Sequence, residues 1–73
     1  MNELIYKGFK IVANYYIEPK MYYSIFNIDG VEILNTLWND DKMWRTADEC
    51  FESAKKDIDN PTKSYMKIFR VIL

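Results

Sequence analysis

Residues 45–59, RTADECFESAKKDID, decide the fold because they carry the local signals of an amphipathic helix. Thr46 is a favourable N-cap residue, and Glu49 three positions later completes a capping box that satisfies two backbone donors of the first turn. Asn60 and Pro61 end the helix. The apolar residues recur at helical spacing and form one stripe, which consists of Ala47, Cys50, Phe51, Ala54 and Ile58. The stretch therefore predicts one helix that lays this stripe on a sheet.

The sequence before the helix favours strands, because it is rich in tyrosine, isoleucine, valine and phenylalanine. Residues 9–17 alternate between two faces and predict a first strand, with Gly8 as a bend near its start. Pro19 interrupts this pattern, and residues 22–28 predict a second strand. The dipeptide at residues 29–30, Asp-Gly, is typical of a two-residue type I′ turn that leads into a third strand.

The predicted turns also predict the register of the strands. The Asp-Gly turn places Ser24 opposite Asn35 and Ile25 opposite Leu34. A four-residue loop over residues 18–21 would align the first strand so that the helix covers the face of Tyr22, Ser24, Phe26 and Ile28. A three-residue loop would reverse this assignment, since a slip of one residue moves every side chain to the other face.

The C-terminal residues 65–72 alternate weakly and are rich in β formers, which predicts a last strand. A second short helix is the alternative, because the apolar residues there also fit helical spacing. The chain contains no repeat and no linker-like tract, so residues 1–73 are expected to form one domain. The predicted fold class is α+β, an antiparallel sheet of three to four strands with one helix packed on one face, in the order β-β-β-α-β.

The composition argues against an enzyme. Histidine is absent, which removes the commonest general base and the usual nitrogen ligand of zinc. The one cysteine, Cys50, lies on the apolar stripe, where a buried thiol is expected, and two distant glycines cannot form a nucleotide-binding loop. Asp40 and Asp41 lack the ligand spacing of a calcium loop. We therefore expect no catalytic residues, no metal and no cofactor.

The expected location is the cytoplasm. A lone cysteine is typical of a reducing compartment, and the N-terminal residues lack the apolar core of a signal peptide. No segment approaches the roughly 20 apolar residues of a membrane span. The net charge of −1 favours neither a nucleic acid nor a basic partner through bulk electrostatics.

The sheet face that the predicted helix leaves uncovered is the candidate binding surface. It would carry large apolar groups, which commonly mark partner sites when they are exposed. The predicted contact residues are Tyr16, Tyr23, Ile25, Leu34 and Trp38, with Asp40 and Asp41 offering charge to a basic patch. The C-terminal segment or a second copy of the chain could cover the same face instead. The aromatic residues could also stack nucleic-acid bases, with nearby lysines contacting phosphates.

The strand YKGFKI and the helix TADECFESAKKDID together resemble very small proteins encoded by bacteriophages and mobile elements. In those proteins a tyrosine-lysine-glycine-aromatic strand opens a short sheet, and the helix ends in alanine-lysine-x-x-isoleucine-aspartate. The resemblance implies that this protein acts in the cytoplasm of a host cell. It also implies that the protein inhibits a host protein, as an anti-CRISPR or other anti-defence protein does. The helix also resembles that of the antitoxin half of HicAB-type modules. In this chain, the segment WNDDKMWR stands before the helix, where those antitoxins have a glycine-cysteine segment.

These observations give three functional expectations. The first is a non-enzymatic phage-type protein that binds a host protein and inhibits or redirects it. The second is a nucleic-acid-binding regulator or HicB-like antitoxin that uses the sheet aromatics. The third is a homodimeric structural module whose apolar faces seal each other.

Overall fold

The computed structural model describes residues 2–39 and 43–60, with only the backbone of residues 38 and 39. The described elements, in chain order, are the strands β1 (Asn2–Tyr6), β2 (Phe9–Ile17), β3 (Lys20–Phe26) and β4 (Glu32–Asn35), the short helix α1 (Thr36–Asn39) and the helix α2 (Ala47–Asp59). The strands form one antiparallel sheet in the order β1-β2-β3-β4, and α2 packs on one of its faces. This confirms the α+β class. The predicted last strand at 65–72 lies outside the described residues.

Strand β1 was not predicted, and it extends the sheet at the N-terminus. It pairs with β2 through a two-residue turn in which Lys7 has a φ of 51° and Gly8 a φ of 84°. Positive φ at both central positions is the geometry of a type I′ turn. Lysine rarely occupies this conformation, so residues 7–8 predicted only a bend at Gly8 and not a hairpin.

The connection between β2 and β3 is shorter than the predicted four-residue loop. Ile17 pairs with Lys20, which leaves a two-residue turn of Glu18 and Pro19 with a cis peptide bond between them. A β-bulge between Tyr15 and Ile17 then shifts the register before the ladder continues. The predicted four-residue loop is therefore wrong, and so is the strand alignment that it implied.

The β3–β4 hairpin also differs from the predicted two-residue turn. Its loop has three residues, because the Asn27 N–H donates to the Val31 carbonyl at 2.9 Å and the Gly30 N–H donates to the Asn27 carbonyl at 2.9 Å. Gly30 alone takes a positive φ in this loop, as a bulge-type hairpin requires. The Asn27 side chain fixes the loop by accepting from the backbone N–H groups of Asp29 and Val31.

The predicted pairing of β3 with β4 is nevertheless confirmed at the end of the hairpin away from the loop. Ser24 pairs with Asn35 and Ile25 pairs with Leu34. A second bulge, between Ile25 and Phe26, offsets the extra loop residue. One irregularity therefore compensates for the other, and the side chains beyond the bulge keep their predicted neighbours.

On β3 the helix covers the face opposite to the predicted one, whereas on β2 it covers the predicted side, which carries Ile11 and Ala13. Ala13 pairs with Tyr23, so the apolar stripe of β2 shares its face with Tyr23 and Ile25 rather than with Tyr22 and Ser24. The short turn and the bulge at Tyr16 together change the strand alignment by an odd number of residues, and an odd shift exchanges the two faces. The buried core cluster lies on this face and consists of Ile11, Ala13, Met21, Tyr23, Ile25, Ile33, Leu34, Cys50 and Ala54.

Strand β4 ends at Asn35, and the side-chain hydroxyl of the next residue, Thr36, takes the place of a backbone partner for Tyr23. This oxygen accepts from the Tyr23 N–H at 3.1 Å and donates to the Tyr23 carbonyl at 3.2 Å. The Asn35 side chain accepts from the Leu37 N–H and begins α1. Farther along β3, Trp44 forms an isolated bridge with Met21. Trp38 lies in α1 and not on the sheet, so its predicted place on the uncovered sheet face is wrong.

Helix α2 agrees with the prediction. The Thr46 side chain accepts from the Glu49 N–H at 3.1 Å, and the Glu49 carboxylate accepts from the Arg45 N–H at 2.9 Å. Cys50 and Ala54 are fully buried, while Ala47, Phe51 and Ile58 pack against the core cluster. These signals lie within the helix and its cap, so they can be recognised without knowledge of the tertiary contacts.

Candidate protein-binding surface

Three of the predicted contact residues belong to the protein interior. Tyr23, Ile25 and Leu34 are 1%, 0% and 1% exposed. They form part of the core under α2 because the sheet presents the opposite face to the helix. The prediction that they form an exposed binding face is therefore wrong.

Of the remaining predicted contact residues, Tyr16 is the one whose side chain the structure describes. Tyr16 lies on β2 near the β2–β3 turn, and its side chain is 55% exposed. Trp38 lies in α1, but its side chain is outside the described part of the structure, as are Asp40 and Asp41. The structure thus does not bring the seven predicted residues together as one surface.

The structure reveals a different apolar surface at the end of the β2–β3 hairpin, which we call the hairpin tip and define as residues 15–20. Tyr15, Tyr16 and Ile17 are consecutive, and their exposed fractions are 56%, 55% and 63%. Side chains of consecutive strand residues normally alternate between faces. The ladder is irregular at Tyr16, between the paired residues Tyr15 and Ile17, and all three side chains are exposed.

The hairpin tip extends past the neighbouring strand. Strand β1 pairs with β2 from Phe9 to Ala13, so the part of β2 beyond Ala13 has only β3 beside it in the described structure. Glu18, Pro19 and Lys20 at the turn are exposed. Glu18 and Lys20 follow the apolar residues in the chain, and their opposite charges leave the tip with no net charge.

Sequence reasoning missed Tyr15 and Ile17 as surface residues because strict alternation assigned both to the core side of the first strand. The available signal was the run of three large apolar residues directly before a proline turn. The run lies beyond Ala13, where β1 no longer pairs with β2. How far β2 extends past β1 depends on the pairing of the two strands, which the local sequence does not encode.

A second apolar area lies at the opposite end of the sheet, on the face without α2. We call it the turn-end cleft, and it is lined by Ile5, Gly8, Lys10, Phe26, Asn27, Ile28 and Gly30. Ile28 is 84% exposed and Ile5 is 67% exposed. The Lys10 ammonium lies 5.6 Å from the centre of the Phe26 ring and 3.9 Å from the Glu3 carboxylate. The cleft thus combines exposed aliphatic groups with one cation.

A groove along α2 has Ser53 and Asp57 in its lining, and both belong to a polar cluster with Tyr23. The Tyr23 hydroxyl donates a hydrogen bond to the Asp57 carboxylate, and it lies 3.2 Å from the Ser53 hydroxyl. Asp57 is 4% exposed, and the Trp44 ring packs against Tyr23 with centroids 4.9 Å apart. Since the hydroxyl crosses from the sheet to the helix, this cluster fixes the position of α2.

A surface cluster joins the first turn of the sheet to the end of α2. The Asp59 carboxylate accepts from the Tyr6 hydroxyl at 2.8 Å and from the Lys7 ammonium at 2.6 Å. These hydrogen bonds lower the pKa of Asp59 and raise the pKa of both Tyr6 and Lys7. The cluster is exposed to solvent, and the mutual hydrogen bonds of its three side chains account for these pKa shifts.

Cys50 is expected to be an unreactive thiol. Burial is the main cause that raises its pKa from 9.0 to about 11, and the nearby Glu49 charge adds to the effect. At pH 8 this shift lowers the thiolate fraction about 100-fold, and the thiolate is the reactive form. We expect iodoacetamide to label the folded protein at least about 100-fold more slowly than the urea-unfolded protein, measured by mass spectrometry.

The same pKa shift predicts the direction of a pH effect on stability. The folded state holds the neutral thiol, so the stabilisation is fully present below pH 9 and is lost as the pH rises through about 11.

In the iodoacetamide experiment, labelling of the folded and unfolded protein at equal rates would contradict the burial of the thiol. A serine variant at position 50, which cannot be alkylated there, controls for reaction at other side chains.

Among residues 2–39 and 43–60, no group of three or more acidic or cysteine side chains is arranged to hold a metal ion. Within the same part of the chain, no helix is long and apolar enough to cross a membrane. Comparison of the chain with models of protein families, with curated proteins and with solved structures gives no match.

Proposed function

We propose that this protein acts by binding another protein through the hairpin tip, without catalysing a reaction. The observation that supports the proposal is the exposure of three consecutive large apolar side chains, Tyr15, Tyr16 and Ile17, at a projecting turn. Water contact with such groups is unfavourable, and burying them against a partner would contribute binding free energy.

The residue types at the tip suit protein recognition. Tyrosine supplies a large contact area with few rotatable bonds, and it is enriched among the residues that dominate binding energy. The tip is held by the ladder between β2 and β3 on one side and by the two-residue turn on the other. A tip that is ordered before binding loses little conformational entropy on association.

The resemblance to small phage and mobile-element proteins suggests the biological setting of this binding. In that setting the partner is a host protein in the cytoplasm, and binding inhibits or redirects it. An anti-CRISPR or other anti-defence inhibitor is the specific form that we propose. The contact surface is the hairpin tip and no longer the sheet face that the sequence suggested.

The hairpin tip can be tested with a matched pair of isoleucine substitutions. Ile17 at the tip and Ile28 in the turn-end cleft are both exposed, at 63% and 84%. Host proteins captured by the wild-type chain would be identified by mass spectrometry, purified and measured by biolayer interferometry. We expect Ile17→Asp to weaken binding at least about 10-fold, because it places a charge in the apolar contact. We expect Ile28→Asp to change it less than about twofold.

Both isoleucine variants should melt close to the wild-type temperature in circular dichroism, since each side chain is mostly in solvent. Weaker binding by Ile28→Asp, with no effect of Ile17→Asp, would place the contact at the other end of the sheet. A gel shift of single-stranded nucleic acid that weakens steeply with salt would instead support a nucleic-acid-binding regulator.

A further inference from the structure

Strand β1 forms one edge of the sheet, and the register shows which of its backbone groups point outward. Tyr6 and Phe9 close the two-residue hairpin, and the pairing continues to Asn2 and Ala13 without a bulge. Hydrogen-bonded and non-hydrogen-bonded pairs alternate in an antiparallel ladder. Tyr6, Leu4 and Asn2 therefore direct their N–H and C=O groups toward β2, while Glu3 and Ile5 direct theirs away from the sheet.

The outward edge of β1 is suited to pairing with another strand. Within residues 2–39 and 43–60, the backbone groups of Glu3 and Ile5 receive no hydrogen bond from another element. The strand has no proline and no bulge, and its Ile5 side chain is 67% exposed. An edge of this kind presents a row of donors and acceptors that favours addition of a strand.

We propose that β1 pairs with β1 of a second copy of this chain, in an antiparallel arrangement with a twofold axis beside Leu4. In this register Glu3 of each copy faces Ile5 of the other. These are the two residues whose backbone groups point outward, so both facing pairs exchange hydrogen bonds. The edge is therefore complementary to itself, as a twofold interface requires, and one continuous sheet spans both copies.

The side chains of β1 fit this twofold register. Leu4 is half-buried and packs against the core cluster, so the two Leu4 side chains meet directly across the axis and extend the core. Ile5 loses part of its exposed surface. Glu3 faces an isoleucine rather than the other Glu3, and its carboxylate has the Lys10 ammonium of its own chain at 3.9 Å. The charges therefore oppose the pairing only weakly.

The other edge of the sheet is less suited to strand addition. Strand β4 has four residues and a bulge faces it in the β3–β4 ladder. Beyond Asn35 the chain leaves the sheet as α1, and Trp44 occupies the next position beside β3. The hairpin tip lies past the end of β1, so a dimer formed through β1 leaves both tips accessible. Two tips on one rigid sheet would allow bivalent capture of a partner.

The dimer is tested with two substitutions at the same residue. Glu3→Pro removes the outward N–H and blocks strand addition, but it leaves the β1–β2 hydrogen bonds in place. Glu3→Ala removes the same side chain and keeps the N–H. We expect light scattering after size-exclusion chromatography to show a doubled mass for the wild type and for Glu3→Ala as concentration rises, and a monomer for Glu3→Pro. Circular dichroism melts establish that both variants fold.

Amide exchange of the wild-type chain gives a second measurement that requires no substitution. We expect the N–H groups of Glu3 and Ile5 to exchange at least about 10-fold more slowly at concentrations where the mass is doubled. A wild-type chain that stays monomeric up to millimolar concentration overturns the proposal. A dimer that survives Glu3→Pro but is lost in Tyr16→Ala also overturns it, because that dimer uses the hairpin tip.

Discussion

Replacing Tyr23 with alanine is expected to lower the free energy of unfolding by about 3–5 kcal/mol, the range typical for deletion of a buried aromatic ring. Tyr23 is 1% exposed and belongs to the core cluster between the sheet and α2. Small domains have a total stability of about 5–15 kcal/mol, so a loss of this size removes much of it. Urea denaturation followed by circular dichroism measures the change.

Tyr23→Phe is the matched control, because it keeps the ring and removes only the hydroxyl. That hydroxyl donates to the Asp57 carboxylate, and loss of one buried hydrogen-bond partner costs about 1–3 kcal/mol. We expect Phe to destabilise the protein clearly less than Ala. Equal losses for the two variants would assign the whole effect to the polar cluster, and a loss below about 1 kcal/mol for Ala would contradict the core position of the ring.

Replacing Thr36 with valine is expected to lower the free energy of unfolding by about 3 kcal/mol, although valine has nearly the same shape. Thr36 is 0% exposed, and its hydroxyl bonds both the N–H and the C=O of Tyr23. Valine removes both bonds in a place that water does not reach, and each buried polar group that loses a partner costs about 1–3 kcal/mol. The midpoint of urea denaturation should fall accordingly.

Thr36→Ser separates the hydroxyl from the methyl group at this position. Serine keeps the oxygen and loses one buried methyl, which costs about 1 kcal/mol. We expect serine to be the more stable of the two variants. If valine equalled or exceeded the wild type in stability, the hydroxyl would not be the group that ends the ladder between β3 and β4.

Most of α2 could be predicted from the sequence alone. The structure contains the predicted cap at Thr46 and the predicted end at Asn60. It also contains the second half of the capping box, in which the Glu49 carboxylate accepts from the Arg45 N–H. Each of these signals acts between residues at most four positions apart. The buried stripe was also predictable, because helical spacing fixes which side chains share a face before any partner is known.

The candidate site could be predicted only in part. Tyr16 was identified, and it is exposed, whereas Tyr23, Ile25 and Leu34 were assigned to the surface and lie in the core. All four are large apolar residues on strands, so composition does not distinguish them. Their exposure depends on which sheet face meets the helix.

The helix, its apolar stripe and the α+β class follow from the amino-acid sequence, because periodicity and capping are local properties. The agreement of the β3–β4 register at Ser24 and Ile25 does not, since a bulge there offsets a loop residue that the sequence did not indicate. The face of β3 that α2 covers, and thereby the set of apolar residues left exposed, depends on the tertiary packing. That choice rests on the two-residue turn at Glu18 and Pro19 and on the bulge at Tyr16. A change of alignment by an odd number of residues exchanges the faces, and such a change is selected by the packing of the whole domain.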